Sequence, residues 1–326
     1  KSVEAITKGQ HNYTSIALYR SGKQDYIIGT KQSMNAPNEI WKLDPIEEKE
    51  TQITRMNAEI LADFKLCKVE KRIVKATDGK DILTWVVYPP DFDAGKKYPT
   101  VLFCQGGPQS MVGQSFSTRW NFQMMASQGY IMVLPNRRGL PGFGQEWNEQ
   151  ISGKWGEQAM ADLISVTDDI SKEMYVDKDK MAAVGASFGG YSVYWLAGHH
   201  KKRFKAFIAH CGVFNLESMY GSTEEVWFGN WDMKGPYWQE PKPESYAKYS
   251  PHLFVKNWDT PMLVIHNDKD FRVPLSEGLQ AFSAAQLQNI PSRFLYFPDE
   301  GHWVLKPQNN VLWGRVFFDW LGRYLK

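Results

Sequence analysis

Ser187 stands between glycines in the run Gly185-Ala186-Ser187-Phe188-Gly189-Gly190. An apolar stretch, Met181 to Val184, precedes it, and Tyr191 to Ala197 follows with the spacing of a buried helix. This is the pattern of a nucleophile elbow, a strained strand-to-helix turn that exposes a serine hydroxyl. The flanking glycines have a steric reason, because strand and helix approach too closely for a Cβ on either side. The turn also sets the Phe188 backbone N–H at a helix N-terminus, where partial positive charge faces an oxyanion formed by attack at a carbonyl. Phe188 is therefore half of a candidate oxyanion hole.

A serine nucleophile needs a base and a group that orients the base, each arriving from later in the chain. Pro261 to Ile265 reads as a short buried strand running into His266-Asn267-Asp268-Lys269-Asp270, and one of its aspartates would be the orienting acid. Arg293 to Phe297 is a further strand, leading through Pro298-Asp299-Glu300-Gly301 to His302, the candidate base. Of the other histidines, His199 and His200 read as solvent-facing caps on a helix C-terminus. His210 and His266 end strands and read as buried, and His11 and His252 have no acidic or nucleophilic context. Upstream, Thr100 to Cys104 is a strand that ends in Gln105-Gly106-Gly107-Pro108, whose glycines let backbone amides approach a carbonyl oxygen and so complete the oxyanion hole.

The elements needed to hold these groups are legible as alternating strands and helices. Strands are expected near 69–76, 82–88, 100–105, 130–135, 181–186, 205–211, 261–266 and 293–298, which predicts a mostly parallel α/β sheet covered by helices on both faces. Ser187, the acid and His302 then lie past the C-terminal ends of strands, where open α/β sheets build their sites. Residues 1–67 differ. Ser15–Tyr19, Asp25–Gly29 and Asn38–Asp44 alternate like short strands of a β-meander.

Gly185 to Gly190, Gly106-Gly107-Pro108, Asn136-Arg137-Arg138-Gly139-Leu140-Pro141-Gly142-Phe143-Gly144, His266-x-x-x-Asp270-x-x-Val273-Pro274 and Gly301-His302 together resemble the prolyl oligopeptidase family of serine peptidases. Within it they are most similar to the acylaminoacyl-peptidase and bacterial dipeptidyl-peptidase branch. The resemblance runs from about Lys68 to the C-terminus and implies an α/β-hydrolase fold for residues 68–326. It selects Asp270 over Asp268 as the acid. It implies that Arg272 holds the peptide carbonyl just upstream of the cleaved residue, in place of a salt bridge with a carboxylate such as Asp268. It also places Val213, Phe214, Tyr220 and Trp227 on the wall of a cavity for the side chain before the scissile bond, which predicts an apolar or small residue there. Many relatives have tyrosine or histidine before Gly-Gly-Pro and this chain has Gln105, so the second oxyanion donor is expected to be the Gly107 amide or the Gln105 side chain. Residues 1–67 resemble the end of a β-propeller, which implies that the chain is the C-terminal part of a longer protein.

The expected activity is that of a serine exopeptidase releasing dipeptides or acylated residues from peptide N-termini through an acyl-enzyme. The alternatives are a carboxylesterase with the same triad and a non-catalytic binding module on the same fold. A chain of 326 residues, 43% apolar, is large enough to bury its own core. With 38 basic against 36 acidic residues and no long basic block, nucleic acid is not an expected partner. No apolar stretch reaches the roughly 20 residues that cross a bilayer, and no signal peptide opens the chain. A soluble protein is expected, periplasmic or extracellular in preference to cytoplasmic. Peptide substrate is the expected partner, and homo-oligomerisation is left open. Cys67, Cys104 and Cys211 are too few and too widely spaced for a disulfide framework or a zinc site and read as buried thiols. No metal or organic cofactor is expected.

Overall fold

The computed structural model describes residues 3–326. The N-terminal strands are β1 (Asn12–Ser21), β2 (Gln24–Ser33), β3 (Ala36–Asp44) and β4 (Lys49–Gln52), which pair antiparallel in chain order. Eight further strands follow: β5 (Val69–Lys75), β6 (Asp81–Val87), β7 (Tyr98–Cys104), β8 (Ile131–Pro135), β9 (Val176–Ala186), β10 (Ala206–His210), β11 (Met262–Asn267) and β12 (Ser292–Phe297). They form one sheet in the order β12-β11-β10-β9-β7-β8-β6-β5. The pairs from β12 through β8 are parallel. This is the mostly parallel α/β sheet that the alternating pattern predicts and the α/β-hydrolase architecture that the resemblance implies.

The chain divides into two compact units. One holds Lys1–Val69, Val87–Phe92 and Val112–Gly129, and the other holds Glu70–Val86, Asp93–Met111 and Tyr130–Lys326. Within the first, side-chain amides tie the later segments to the β-meander: Phe116 N–H donates to Gln32 Oε1 at 2.8 Å, and Cys67 N–H donates to Gln123 Oε1 at 2.7 Å.

The second unit carries the large core. Every residue of β8, β10 and β11 is buried, as a sheet covered on both faces requires. The helix Phe188–His199 is buried along its first ten residues, so it shows no polar stripe. Pro307–Leu325 is amphipathic instead, burying Trp313, Phe317, Trp320, Leu321 and Leu325 on one face. Trp320 Nε1 donates to the Phe207 carbonyl at 3.1 Å, fixing this helix against β10. Strand β9 begins at Val176, earlier than the apolar run at Met181 predicts. Its first part, Val176-Asp177-Lys178-Asp179-Lys180, is mostly polar and pairs Val176 with Tyr98 before an irregularity in the register.

The expected solvent exposure of the histidine pair at 199–200 is corrected. His200 is buried, with Nε2 3.2 Å from Asp259 Oδ1, and His199 stacks on Trp195 at 4.1 Å. Burial lowers the pKa of both, His199 packing against Phe254 and His200 against Phe204 and Phe207. Neither acts as an exposed cationic cap.

Candidate active site

The parallel register brings distant residues to one edge of the sheet. Gly185 of β9 lies beside Cys104 of β7, Ala186 beside His210, and His210 beside Ile265 of β11. His266 and Asn267 then pair with Tyr296 and Phe297 of β12. The C-terminal ends of these five strands are thus level, and the loops carrying Gly107, Ser187, Asp270 and His302 all leave from that edge.

Ser187 caps the helix Phe188–His199 with φ 61° and ψ −124°, a conformation that costs on the order of 1–3 kcal/mol for a residue with a Cβ. Its backbone N–H donates to the His210 carbonyl at 2.9 Å and its carbonyl accepts from Tyr191 N–H at 2.9 Å, so the turn is pinned on both sides. The hydroxyl makes no capping hydrogen bond to the helix. A Cβ on Gly106 would stand 3.6 Å from Ser187 Cβ, which places the Gln105–Pro108 loop against the serine. Gly107 has φ +112°, in the left-handed half of φ space that favours glycine.

Asp270 and His302 meet directly. His302 Nδ1 is 2.7 Å from Asp270 Oδ2, while Asp270 Oδ1 accepts from Arg272 N–H at 3.1 Å and Val273 N–H at 2.9 Å. Burial works against the Asp270 carboxylate, but the hydrogen bond and charge of His302, the Val273 N–H and the Cys211 thiol outweigh it and hold its pKa below the ordinary carboxylate range. Asp268 is held elsewhere in the loop, its N–H donating to Phe297 O at 2.9 Å.

Two residues without an assigned role in the sequence reading fix the histidine loop. Asn267 Nδ2 donates to Gly301 O at 2.6 Å, and the buried Glu300 carboxylate accepts from Leu305 N–H, Lys306 N–H and Asn309 Nδ2 at 3.1, 3.0 and 2.7 Å. The signal for Glu300 lay in its place two residues before His302, where an acid can gather the amides of a following tight turn.

Arg272 is not paired with Asp268. Its Nε lies 3.0 Å from Glu225 Oε1 without hydrogen-bond alignment, its Nη2 lies 3.6 Å from Glu224 Oε1, and its guanidinium covers the Trp303 ring at 5.0 Å. The 223–225 segment is locked to it through Thr223 Oγ1, which donates to Arg272 O at 2.7 Å. Val213, Phe214 and Tyr220 are buried, with Phe214 edge-on to Tyr194 and Tyr220 donating to Asn230 Oδ1 at 2.7 Å. Trp227 is 70% exposed and lies edge-on to Phe228. Gln105 Nε2 donates to Ser110 Oγ at 3.1 Å.

Cys67, Cys104 and Cys211 are buried, and none forms a disulfide. Donor atoms of Cys211, His266 and Asp270 lie within 4.8 Å of one another. His266 Nε2 is 2.8 Å from the Val273 carbonyl, and Asp270 is engaged by His302, so the cluster belongs to the support of the same loop. No helix among the described residues is long and apolar enough to cross a membrane.

A doubly covered, largely parallel sheet with a serine elbow and an aspartate-histidine pair on one edge defines an α/β-hydrolase. Residues 114–326 match the model of the prolyl oligopeptidase family, and the chain belongs to that family. It is 51% identical over 326 residues to dipeptidyl-peptidase 5 of Porphyromonas gingivalis, covering 99% of this chain and 47% of that protein. Dipeptidyl-peptidase 5 of Porphyromonas endodontalis is 50% identical over 328 residues, covering 100% and 47%. Among solved structures, an acylaminoacyl peptidase in complex with Z-Gly-Gly-Phe-chloromethyl ketone superposes with a TM-score of 0.88 at 25% identity, covering 98% of this chain and 50% of that one. The chain spans about half the length of the curated relatives it matches.

Proposed function

We propose that this chain carries the catalytic machinery of a serine dipeptidyl peptidase. The observation that carries the reading is the 2.7 Å contact of His302 Nδ1 with a buried, ionised Asp270, on the sheet edge from which Ser187 also projects. With Nδ1–H donated to Asp270, the Nε2 of His302 is the proton acceptor. His302 removes the Ser187 proton as Oγ attacks the scissile carbonyl, and returns it to the leaving amine to give the acyl-enzyme. Water then repeats the sequence on the ester and releases the product. Asp270 orients the imidazole and stabilises the imidazolium, remaining ionised throughout.

The Phe188 and Gly107 backbone N–H groups would receive the oxyanion. The Gln105 side chain already donates to Ser110, which favours the Gly107 amide as second donor. Arg272 would take the upstream peptide carbonyl, with Glu224 and Glu225 holding its fork in place between turnovers. Val213, Phe214, Tyr220 and Trp227 supply the apolar surface before the scissile bond. In this reading residues 1–67 are the end of a propeller, and 68–326 are the catalytic domain. The names of the Porphyromonas relatives support release of a dipeptide from a free N-terminus. The likeness to an acylaminoacyl peptidase supports a second reading, removal of an acyl-capped residue.

The test compares Gly-Phe and acetyl-Phe p-nitroanilides and p-nitrophenyl butyrate, with Ser187→Ala as control. Serine-dependent cleavage of Gly-Phe-p-nitroanilide is expected. Cleavage of acetyl-Phe alone would establish the second reading, and cleavage of butyrate alone would make the protein an esterase.

A further inference from the structure

Arg137 and Arg138 are adjacent and both buried, but their terminal nitrogens are engaged in opposite ways, and Arg137 Nε has no hydrogen-bond partner. Arg138 meets two carboxylates, Asp78 at 2.7 Å and Asp162 at 3.1 Å. Among the described residues Arg137 forms no ion pair. Its fork is spent on backbone carbonyls: Nη2 donates to Gln105 O at 3.0 Å and Pro108 O at 3.4 Å, and Nη1 donates to Arg138 O at 2.8 Å and Pro108 O at 3.4 Å. The guanidinium carbon lies 4.2 Å from the centre of the Phe188 ring. One planar group therefore contacts both ends of the Gln105–Pro108 loop and the side chain of the residue that follows Ser187.

We infer that Arg137 is a positioning residue for the oxyanion hole, bracing its two backbone donors, Gly107 N–H and Phe188 N–H, against one rigid guanidinium. The inference rests on the oxyanion hole proposed above. Burying a cation without a carboxylate partner is costly, and a methionine or leucine would fill the volume without that cost. The arginine does what an apolar residue cannot: it satisfies the carbonyls at both ends of the loop and so fixes the direction of the Gly107 amide between them. The other side of the loop is held by Gln109, whose Nε2 is 3.3 Å from both oxygens of the buried Asp232. Asp232 is itself anchored by Ser152 Oγ and Trp155 Nε1 at 2.9 and 3.0 Å, and the Trp155 ring meets the Phe188 ring edge-on at 4.8 Å. Burial lowers the Arg137 pKa to about 9, so the group is still a cation at neutral pH.

A donor misplaced from the developing oxyanion weakens the transition state and leaves substrate binding untouched. In the intact protein, Arg137→Met is expected to lower kcat, normalised to titrated Ser187, by about 10²-fold with KM within twofold, the loss associated with one oxyanion donor. A peptide boronate, which occupies the tetrahedral site, should bind more weakly by a similar factor, whereas the dipeptide product should bind as before. Arg137→Lys, with a single point charge in place of the fork, should fall between. Unchanged kcat and boronate affinity in a variant of lowered Tm would overturn the inference, because they would make Arg137 a stability element alone. If Arg137→Met does not fold, Arg137→Lys and Phe188→Leu decide by the same two ratios, the latter keeping the N–H and removing the ring under the guanidinium. Failure of the wild type to label with a fluorophosphonate at Ser187 would instead remove the catalytic reading on which the inference depends.

Discussion

A Cβ on Gly189 would stand 2.1 Å from the carbonyl oxygen of Cys104, the last residue of β7. The first turn of the serine helix thus rests directly on the strand end from which the oxyanion loop departs. The closeness couples the elbow to the Gly107 amide, since neither can shift without the other. Gly189→Ala must push the two apart. Overpacking of this kind costs about 1–3 kcal/mol or more, and the accompanying displacement should lower kcat/KM by at least about 10²-fold. Thermal unfolding with fluorophosphonate titration checks both effects. A variant with wild-type labelling rate would show that the contact is relieved without moving the site.

Asp270→Asn keeps the shape of the acid and removes its charge. The backbone donors Arg272 N–H and Val273 N–H can still be accepted by the amide oxygen, leaving an NH₂ to face His302 Nδ1. That pairing favours the tautomer with the proton on Nε2, which cannot take the serine proton. A loss of about 10⁴-fold in kcat is expected, on the scale known for such a change in a serine triad, with the fold intact by circular dichroism. Because the Asp270 pKa is depressed, the wild-type carboxylate should remain ionised through mildly acidic pH, so protonation of Asp270 should not limit activity near neutrality.

The positions of Ser187, Asp270 and His302 were legible because each follows an apolar run that could only be a buried strand, and parallel pairing aligns the strand ends. The elbow was legible for a second reason, since closely packed glycines leave a mark in composition. What the sequence did not disclose were partners chosen by tertiary packing. Glu225 reaches Arg272 across 47 positions, and nothing in its local context separates it from Asp268. Lys178, Asp179 and Lys180 lie in β9 although no apolar alternation marks them, in the irregular stretch between the Tyr98–Val176 and Thr100–Met181 pairs. His200 reads as polar punctuation after a helix, and only the packing over it makes it a core residue. The two arginines at 137 and 138 look equivalent in sequence, while one finds carboxylates and the other carbonyls.

Arg272 offers a direct way to separate peptidase from esterase chemistry. Its guanidinium is exposed enough to meet substrate yet is steadied by Glu225, Glu224 and the face of Trp303. Arg272→Met should raise KM for dipeptide p-nitroanilides by about tenfold or more, equivalent to roughly 1.4 kcal/mol of binding, and leave p-nitrophenyl butyrate turnover unchanged. Glu225→Gln should act in the same direction but more weakly, because the fork loses orientation and keeps its charge. Equal losses on peptide and ester would assign Arg272 to the integrity of the Asp270 loop, not to the substrate.

Glu277 links stability to pH. It is buried in the first turn of the helix Leu275–Leu287, and its Oε2 accepts from Phe214 N–H at 2.9 Å and Asn215 N–H at 2.7 Å, tying the loop after β10 to the helix after Asp270. Burial raises its pKa to about 7 from 4.5, against the pull of those donors. Below pH 4.5 the group is protonated in folded and unfolded chains alike and adds no pH dependence. Between 4.5 and 7 the unfolded chain releases a proton that the folded chain keeps, so stability falls as pH rises. Above 7 the penalty is complete, at about 3 kcal/mol for a shift of this size. Glu277→Gln keeps an acceptor for both N–H groups and has nothing to ionise. The variant should therefore gain on the wild type steadily from pH 5 to pH 8 in thermal or denaturant unfolding, with the difference levelling above that. Parallel stability curves across this window would mean that the loop relaxes enough to hydrate Glu277, and that its carboxylate ties Phe214 and Asn215 without strain.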